Sequence, residues 1–320
     1  MANTRQLPGP RGFRLESDRS ALDAGPRGPF HVWRSCPMCH SSTGTMIPMA
    51  LVIDPDRLGR HIAALTAHGP RAEDLPGVAS ALRYISDELA QSGYEVRIER
   101  YGTELHEVNL ITELPGVATD GVIELCAHWD SVAESPGADD NASGVAGVLE
   151  AARALRAAGG QRQTVRFCFF GGEEDGFGGS TAHVEHIAPH TSSIVLEMIA
   201  YTAPKQNVPE ALDGLLDLPE RGDFIALIAN PDSAELIDLV LGGTDPELAT
   251  FPLVAPASFL PTVARSDHVP YWQSGRRSLL VTDTAEYRNP HYHQESDGLD
   301  QLDLVFAARV TEAVTRALAT

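Results

Sequence analysis

From residue 54 onward, hydrophobic positions recur at helical spacing in four segments of the chain. In DRLGRHIAALTA, for example, Leu58 and Ile62 fall on one helical face, and the other segments repeat this spacing. Gly93 and Gly159 favour helix ends, and Ser143 is a candidate cap for the third helix. The predicted helices cover residues 56–67, 79–93, 143–160 and 302–318.

Five further segments have the patterns of strands. YEVRIERY alternates between apolar and polar residues, whereas the other four are almost entirely apolar, as in strands covered on both faces. These four runs are GVIELCAHW (121–129), TVRFCFFGG (164–172), SSIVLEMIAY (192–201) and RRSLLVTD (276–283). Strands that alternate with helices predict a three-layer α/β/α sandwich with a mixed, largely parallel central sheet.

The start of the chain shows neither pattern. Residues 1–52 are rich in Arg, Gly, Pro and Ser, so we predict a flexible N-terminal extension followed by one folded domain over 53–320. Cys36 and Cys39 supply half of a tetrahedral zinc site, but the sequence offers no second half. Cys126 and Cys168 lie inside apolar runs and are predicted to be small buried residues.

The composition restricts the partners. A formal net charge of -20 disfavours nucleic acids and anionic membranes, and it suits cationic substrates or bound metal ions. No apolar run approaches the ~20 residues of a membrane span. The N-terminus lacks the hydrophobic region of a signal peptide, so we expect a cytoplasmic protein.

Residues that can bind metal follow or end each apolar strand. Ligands of open α/β sheets bind outside the carboxyl ends of the strands, so these side chains should meet there. They are His128 and Asp130 after the first run, the acids of GADDN (137–141), Glu173 and Glu174 after the second, Glu197 within the third, and His291, His293 and Asp297 after the fourth.

Two imidazoles with several carboxylates suit a borderline cation such as Zn²⁺. The adjacent acids of GADDN would repel one another if they were buried without a positive partner. We therefore predict two metal ions bridged by one carboxylate of this loop, whose glycines allow the sharp turn that directs it inward.

Four motifs in order, HWDSV, GADDNASG, GGEEDGFGGS and NPHYHQESD, resemble those of the co-catalytic zinc aminopeptidases. These enzymes belong to the superfamily of glutamate carboxypeptidase, glutaminyl cyclase and the transferrin-receptor ectodomain. The resemblance runs from about residue 55 to the C-terminus and implies a zinc-exopeptidase fold, with residues 53–320 as the catalytic domain.

The resemblance also implies a role for each site residue. His128 matches a ligand of one zinc, and Asp130 matches the acid that orients its imidazole. Asp140 matches the bridging carboxylate, and the peptide bond after it is often cis in the family. Glu173 matches the general base, and Glu174 matches a ligand of the second zinc.

The remaining matches are less direct. His293 matches the histidine of the second zinc, with His291 as its rival. Tyr292 matches a tyrosine that contacts the reacting carbonyl in the carboxypeptidase branch, and the best-known members have Asp where this chain has Glu197. Three further residues are predicted to lie around the site: Asp267 and Asp297 as supporting acids, and His268 as a structural residue.

The implied function is an aminopeptidase that binds two Zn²⁺ ions, with Co²⁺ or Mn²⁺ as substitutes, and cleaves peptides with a free N-terminus. The alternatives are a carboxypeptidase or dipeptidase of the same fold, a single-zinc glutaminyl cyclase, and a binding domain whose site has decayed. Asn141 favours a hydrolase over a cyclase, and the complete set of ligand positions disfavours a decayed site.

Overall fold

The computed structural model describes residues 31–32, 51–73, 75–118, 121–208, 217–255, 259 and 263–319. Most of the predicted extension, including Cys36 and Cys39, lies outside these residues, so its flexibility stays a prediction. Two residues of that range, His31 and Val32, pair with a strand of the central sheet.

A mixed sheet of nine strands runs through the described part of the chain, in the order β1-β8-β7-β9-β6-β4-β5-β3-β2. Its centre, β5-β4-β6-β9, is parallel, and antiparallel pairs flank it. The strands are β1 (His31–Val32), β2 (Arg97–Arg100), β3 (Val108–Leu114), β4 (Val122–His128), β5 (Thr164–Phe170), β6 (Ser192–Glu197), β7 (Phe224–Ala229), β8 (Ala249–Val254) and β9 (Ser278–Thr282). The sequence did not predict β3, β7 or β8.

Helices cover both faces of the sheet and complete the predicted three-layer sandwich. Residues of α1, α2, α3, α5 and α7 share one hydrophobic core with the sheet, while α4 and α6 pack in a second core on the other face. The helices are α1 (Pro55–Thr66), α2 (Pro76–Gln91), α3 (Gly144–Ala158), α4 (Gly178–Val184), α5 (Glu235–Leu241), α6 (His268–Gln273) and α7 (Leu304–Leu318). No helix in the described ranges is long and apolar enough to cross a membrane.

The predicted cap of α3 is wrong. The side chain of Ser143 does not cap the helix; its hydroxyl donates to the carbonyl oxygen of Asp139 at 2.7 Å. Asn141 takes the capping position instead, because its Oδ1 accepts from the backbone N–H of Gly144 at 3.1 Å. The reason is a π-type turn over Ala138–Ser143, which bends the backbone before α3 and moves the cap back by two residues. Gly159 ends α3 with φ 64°, as predicted.

A buried ionic network holds α4 against the sheet. His183 of α4 lies between two carboxylates, with Nδ1 2.8 Å from Glu99 of β2 and Nε2 3.2 Å from Glu124 of β4. Arg166 and Tyr271 also donate to Glu124. Burial alone would lower the pKa of His183, but Cys168, Glu124 and Glu99 outweigh burial and raise the pKa to about 12. This network orients α4, which follows directly on the Glu-Glu loop after β5.

We expect the stabilising effect of His183 to depend on pH. Its folded pKa lies above the unfolded value of about 6.5, so the effect is complete below that pH and declines as pH rises toward 12. The stability difference between the wild type and His183→Gln should shrink by roughly 1 kcal/mol per pH unit between about pH 6.5 and 9. Urea unfolding measures this difference. The exposed His186 provides the control His186→Gln, and a constant difference for His183→Gln would contradict the network.

Candidate metal centre

The predicted ligands converge at the carboxyl ends of the parallel strands. His128 is the last residue of β4, and Glu197 is the last residue of β6. Glu173 and Glu174 follow β5 after a two-glycine turn, in which Gly172 has φ 68°. Asp140 lies in the π-type turn before α3, and His293 lies in the loop after β9. Side chains from five separate segments therefore meet at one edge of the sheet, as the order of the motifs predicted.

Asp140 lies between the two histidines. Its Oδ1 is 3.4 Å from Nε2 of His128, and its Oδ2 is 3.1 Å from Nε2 of His293. One carboxylate thus presents a different oxygen to each imidazole, which is the arrangement that a bridging ligand requires. The peptide bond between Asp140 and Asn141 is cis, as the resemblance implied.

The remaining carboxylates divide between the two imidazoles. On the His128 side, Oε2 of Glu197 is 3.2 Å from Nε2, and it also accepts a hydrogen bond from Ser266 at 2.6 Å. On the His293 side, Oε2 of Glu174 is 3.1 Å from Nε2. Two sets of donors share Asp140, and each is able to surround one ion with its ligand atoms within 4.8 Å of one another: His128, Asp140 and Glu197, and Asp140, Glu174 and His293. A third group that meets the same limit, His128, Glu173 and Glu174, overlaps both of these sets.

Glu173 lies beside the two sets. Its Oε2 is 4.0 Å from Nε2 of His128, farther than the carboxylates of either set, and the residue is 9% exposed. Burial and the neighbouring charge of Glu197 raise its pKa well above the ordinary value. A carboxylate with a raised pKa is suited to accept and return a proton near neutral pH.

The charges of the site depend on one another. Burial would raise the pKa of Asp140, but His128 and His293 outweigh it and lower the pKa. Glu174 has no comparable compensation, so burial and the charge of Asp140 raise its pKa to about 7. Burial would lower the pKa of His293, whereas Asp140 and Glu174 raise it to about 10. Asp140 and Glu174 therefore depend on positive neighbours to remain ionised.

The donor chemistry fits zinc. Each set combines one imidazole nitrogen with two carboxylates, and three protein donors with an open position are typical of catalytic zinc. In addition, Nε2 of His293 is buried and has no hydrogen-bond partner, although two carboxylate oxygens lie 3.1 Å away. A cation between these three atoms would satisfy all of them.

Two predicted supporting acids hold the ligand segments. Asp130 places Oδ1 3.4 Å from Nδ1 of His128, and its Oδ2 accepts from the backbone N–H of Glu174 at 3.2 Å. Asp297 accepts from the backbone N–H groups of Asp139 and Asp140 at 3.0 and 3.1 Å. Asp130 thus contacts a predicted ligand directly, whereas Asp297 acts on the backbone of the bridging loop.

Asp267 lies in the interior near the site, and Tyr292 lies at its side. Asp267 is fully buried and accepts from Ser180 at 2.5 Å, and burial raises its pKa to about 7. Tyr292 stacks on the ring of His293 with centroids 3.8 Å apart, and it borders a neighbouring cavity.

Neither alternative histidine joins the donor sets. Nδ1 of His291 is 2.8 Å from the hydroxyl of Ser296, and its ring packs edge-on against Tyr201. His268 is buried, with Nε2 2.9 Å from the carbonyl oxygen of Val263 and its ring against Trp272. His268 is thus a packing residue, in line with its predicted structural role.

Sequence reasoning missed several residues that support the site. Arg71 donates to the carbonyl oxygens of Trp129 and Gly137, and Asn289 donates to Asp139 at 2.8 Å. Ser266, which bonds Glu197, belongs to the SDH segment that the sequence did single out. Arg71 lies in the short connection between two predicted helices, and the sequence of this connection has no pattern that indicates a role for it.

Comparison with known proteins gives the family. A model of peptidase family M28 matches residues 109–318, a range that contains every residue of both donor sets. The chain belongs to peptidase family M28. The chain is therefore a peptidase, and its sheet edge with two histidines and four acids is the candidate active site.

Individual relatives agree with this assignment. Escherichia coli YfbL, an uncharacterized protein, is 32% identical over 281 residues, which cover 81% of this chain and 86% of that protein. A probable leucine aminopeptidase of Arthroderma otae is 27% identical over 291 residues, covering 82% and 71%. The structure of a zinc aminopeptidase from Bacillus subtilis matches with a TM-score of 0.63 at 16% identity, covering 83% of this chain and 95% of that one. The last similarity bears on the fold alone.

Asn141 should be essential for holding the bridging loop. Its side chain accepts from the N–H groups of Gly144 and Met198 and donates to Leu196, and all of these atoms are remote from water. We expect Asn141→Ala to lower the free energy of unfolding of the metal-free protein by about 3 kcal/mol, because three buried polar groups lose their partner.

The exposed Asn207 provides the matched control, and Asn207→Ala should stay within about 0.5 kcal/mol of the wild type. Denaturant unfolding followed by circular dichroism measures both variants. Equal stabilities for Asn141→Ala and Asn207→Ala would show that the loop does not depend on this side chain.

Proposed function

We propose that the chain is a zinc-dependent aminopeptidase that holds two zinc ions, with Asp140 as their bridging ligand. The observation that carries this proposal is the position of Asp140 between His128 and His293, with one oxygen directed to each. Membership of a peptidase family and the aminopeptidase names of several relatives support the reaction. Co²⁺ or Mn²⁺ would be substitutes for Zn²⁺, because these ions also bind imidazole and carboxylate donors.

Each ion would have three protein ligands. His128, Asp140 and Glu197 would hold one, and Asp140, Glu174 and His293 would hold the other. Bound zinc supplies a water of lowered pKa and polarises the carbonyl oxygen of the scissile bond. Asp130 keeps the ring of His128 oriented, as a carboxylate behind a ligating imidazole commonly does.

Glu173 is the proposed proton carrier. Its buried carboxylate lies 4.0 Å from Nε2 of His128, farther than those of Asp140 at 3.4 Å and Glu197 at 3.2 Å, so it can stay free of metal beside both donor sets. It would accept the proton of the attacking water and donate it to the leaving amine. Tyr292, which stacks on His293 and borders the cavity, would donate to the oxyanion that forms from the carbonyl.

The proposed substrate is a peptide with a free N-terminus. The acidic cluster would attract the terminal ammonium, and blocking this group should abolish cleavage by an aminopeptidase but not by a carboxypeptidase. We also retain the cytoplasmic location as a proposal. One relative is named a probable lipoprotein aminopeptidase of Mycobacterium tuberculosis.

Glu173→Gln should test the mechanism most simply. Removing the proton acceptor should lower kcat for a leucyl-anilide by about a thousandfold, while the zinc content stays equal to that of the wild type. Elemental analysis and anilide release on the same sample measure both quantities. N-acetyl-Leu-Leu serves as the blocked control, because its amine is blocked while it keeps the free carboxylate that a carboxypeptidase requires.

Cleavage of N-acetyl-Leu-Leu would favour a carboxypeptidase, and an active Glu173→Gln variant would remove Glu173 from its role. Release of ammonia from N-terminal glutamine peptides without anilide hydrolysis would instead indicate a cyclase.

An apolar cavity of about 110 Å³ adjoins the site between Glu197 and Tyr292. Its walls come mainly from the unpredicted strands β7 and β8 and from β9, with Arg265 and Glu286 paired nearby at the rim. The aliphatic and phenylalanine side chains of the lining are Leu218, Ala226, Ile228, Phe251, Leu253, Val263, Leu280 and Ala285. We propose that this cavity accepts the side chain of the N-terminal residue, which favours apolar residues.

Narrowing this cavity should change the substrate preference. Ala226→Phe places a ring in the cavity, so kcat/KM for a leucyl-anilide should fall at least about tenfold relative to that for an alanyl-anilide. The ratio of the two substrates in one protein sample controls for any loss of active enzyme. An unchanged ratio would place the recognition of the side chain elsewhere.

A further inference from the structure

Arg71 is a buried arginine beneath the candidate metal centre. It lies in the connection between α1 and α2, and only 1% of its surface is exposed. Its guanidinium donates to main-chain oxygens rather than to carboxylates: Nε to Trp129 at 2.6 Å, Nη1 to Pro136 at 2.5 Å and Nη2 to Gly137 at 2.9 Å. A fully buried charge with no direct ion pair requires an explanation, because burial of a charge is costly.

The acceptors of Arg71 belong to two segments that carry ligands. Trp129 lies between His128 and Asp130, whereas Pro136 and Gly137 lead into the turn that contains Asp140. A fourth acceptor, the carbonyl oxygen of Asp140 itself, is 3.5 Å from Nη2. The planar guanidinium therefore links the end of β4 to the bridging loop with fixed geometry.

The packing around this link leaves little room for movement. A Cβ on Gly137 would lie 2.7 Å from Nη2 of Arg71 and 2.2 Å from the carbonyl oxygen of Asp140. The backbone N–H of Arg71 also donates to Ser131 at 2.9 Å, which fixes the base of the side chain. Carboxylates of the site surround the guanidinium at longer range and oppose the lowering of its pKa by burial.

We propose that Arg71 is a positioning residue that sets the separation of His128 and Asp140 through the main chain. This inference rests on the proposed zinc centre. It contrasts with a role as a mere counter-charge to the acids. The two roles predict opposite changes in zinc affinity when the guanidinium is removed. Loss of a nearby positive charge alone would strengthen zinc binding, whereas loss of the correct ligand positions would weaken it.

Arg71→Lys separates the two roles, because it keeps the charge and removes the planar fork. For this variant we expect the zinc dissociation constant, measured by chelator competition, to rise at least about tenfold. The visible spectrum of the Co²⁺-substituted protein should also change, since it reports the ligand geometry. Arg276→Lys is the control, because Arg276 also donates to two main-chain oxygens, those of Ile187 and Ala188, but lies before the amino end of β9, opposite the sheet edge that carries both donor sets. Its zinc affinity and Co²⁺ spectrum should equal those of the wild type.

Wild-type affinity and spectrum in Arg71→Lys, with tighter zinc binding in Arg71→Met, would overturn the positioning role in favour of a counter-charge. If Arg71→Lys does not fold, as judged by circular dichroism, Ser131→Ala decides: at least threefold weaker zinc binding supports the proposal, and unchanged binding overturns it. Failure of the wild type to bind zinc would instead refute the proposed function itself.

Discussion

The site depends on one electrostatic constraint: several carboxylates are buried together at one edge of the sheet, and each must have a positive neighbour. Asp140 meets this requirement by lying between His128 and His293. Glu174 and Glu173 are less well compensated, and their pKa values rise accordingly. Buried acids without compensation lower the stability of the fold, so a cluster of this kind is maintained for the cations that it can bind.

The fold supplies this cluster through local features of the chain. Parallel strands bring His128 and Glu197 to the same edge, and the π-type turn before α3 carries Asp140 to a position between them. The side chain of Asn141 donates to Leu196 at the end of β6, and Asp297 in the loop after β9 accepts from the backbone N–H of Asp140. These two hydrogen bonds fix the turn in place. The positions of the ligands therefore depend as much on neutral and backbone contacts as on the charges themselves.

The sequence predicted the sandwich and the convergence of the ligands because both follow from short, local patterns. Apolar runs followed by acids or histidines indicate strand ends, and the glycines and adjacent acids of GADDNASG indicate a loop. The missed features are those without local pattern. The strands β7 and β8, which line the apolar cavity, lie in a stretch that we could not interpret from the sequence. Arg71 contacts residues about 60 positions away, and its role becomes apparent only in three dimensions. The sequence favours Ser143 as the cap of α3 because no sequence pattern indicates the π-type turn before this helix.

The central claim is that Asp140 joins two metal ions in one site. Native mass spectrometry of the metal-free protein during titration with zinc tests it most directly. The account predicts that the chain binds two ions, and that His293→Ala binds one, because the donor set of His128, Asp140 and Glu197 remains intact. A wild type that saturates with one ion would contradict the bridging role of Asp140, as would a second ion that persists in His293→Ala.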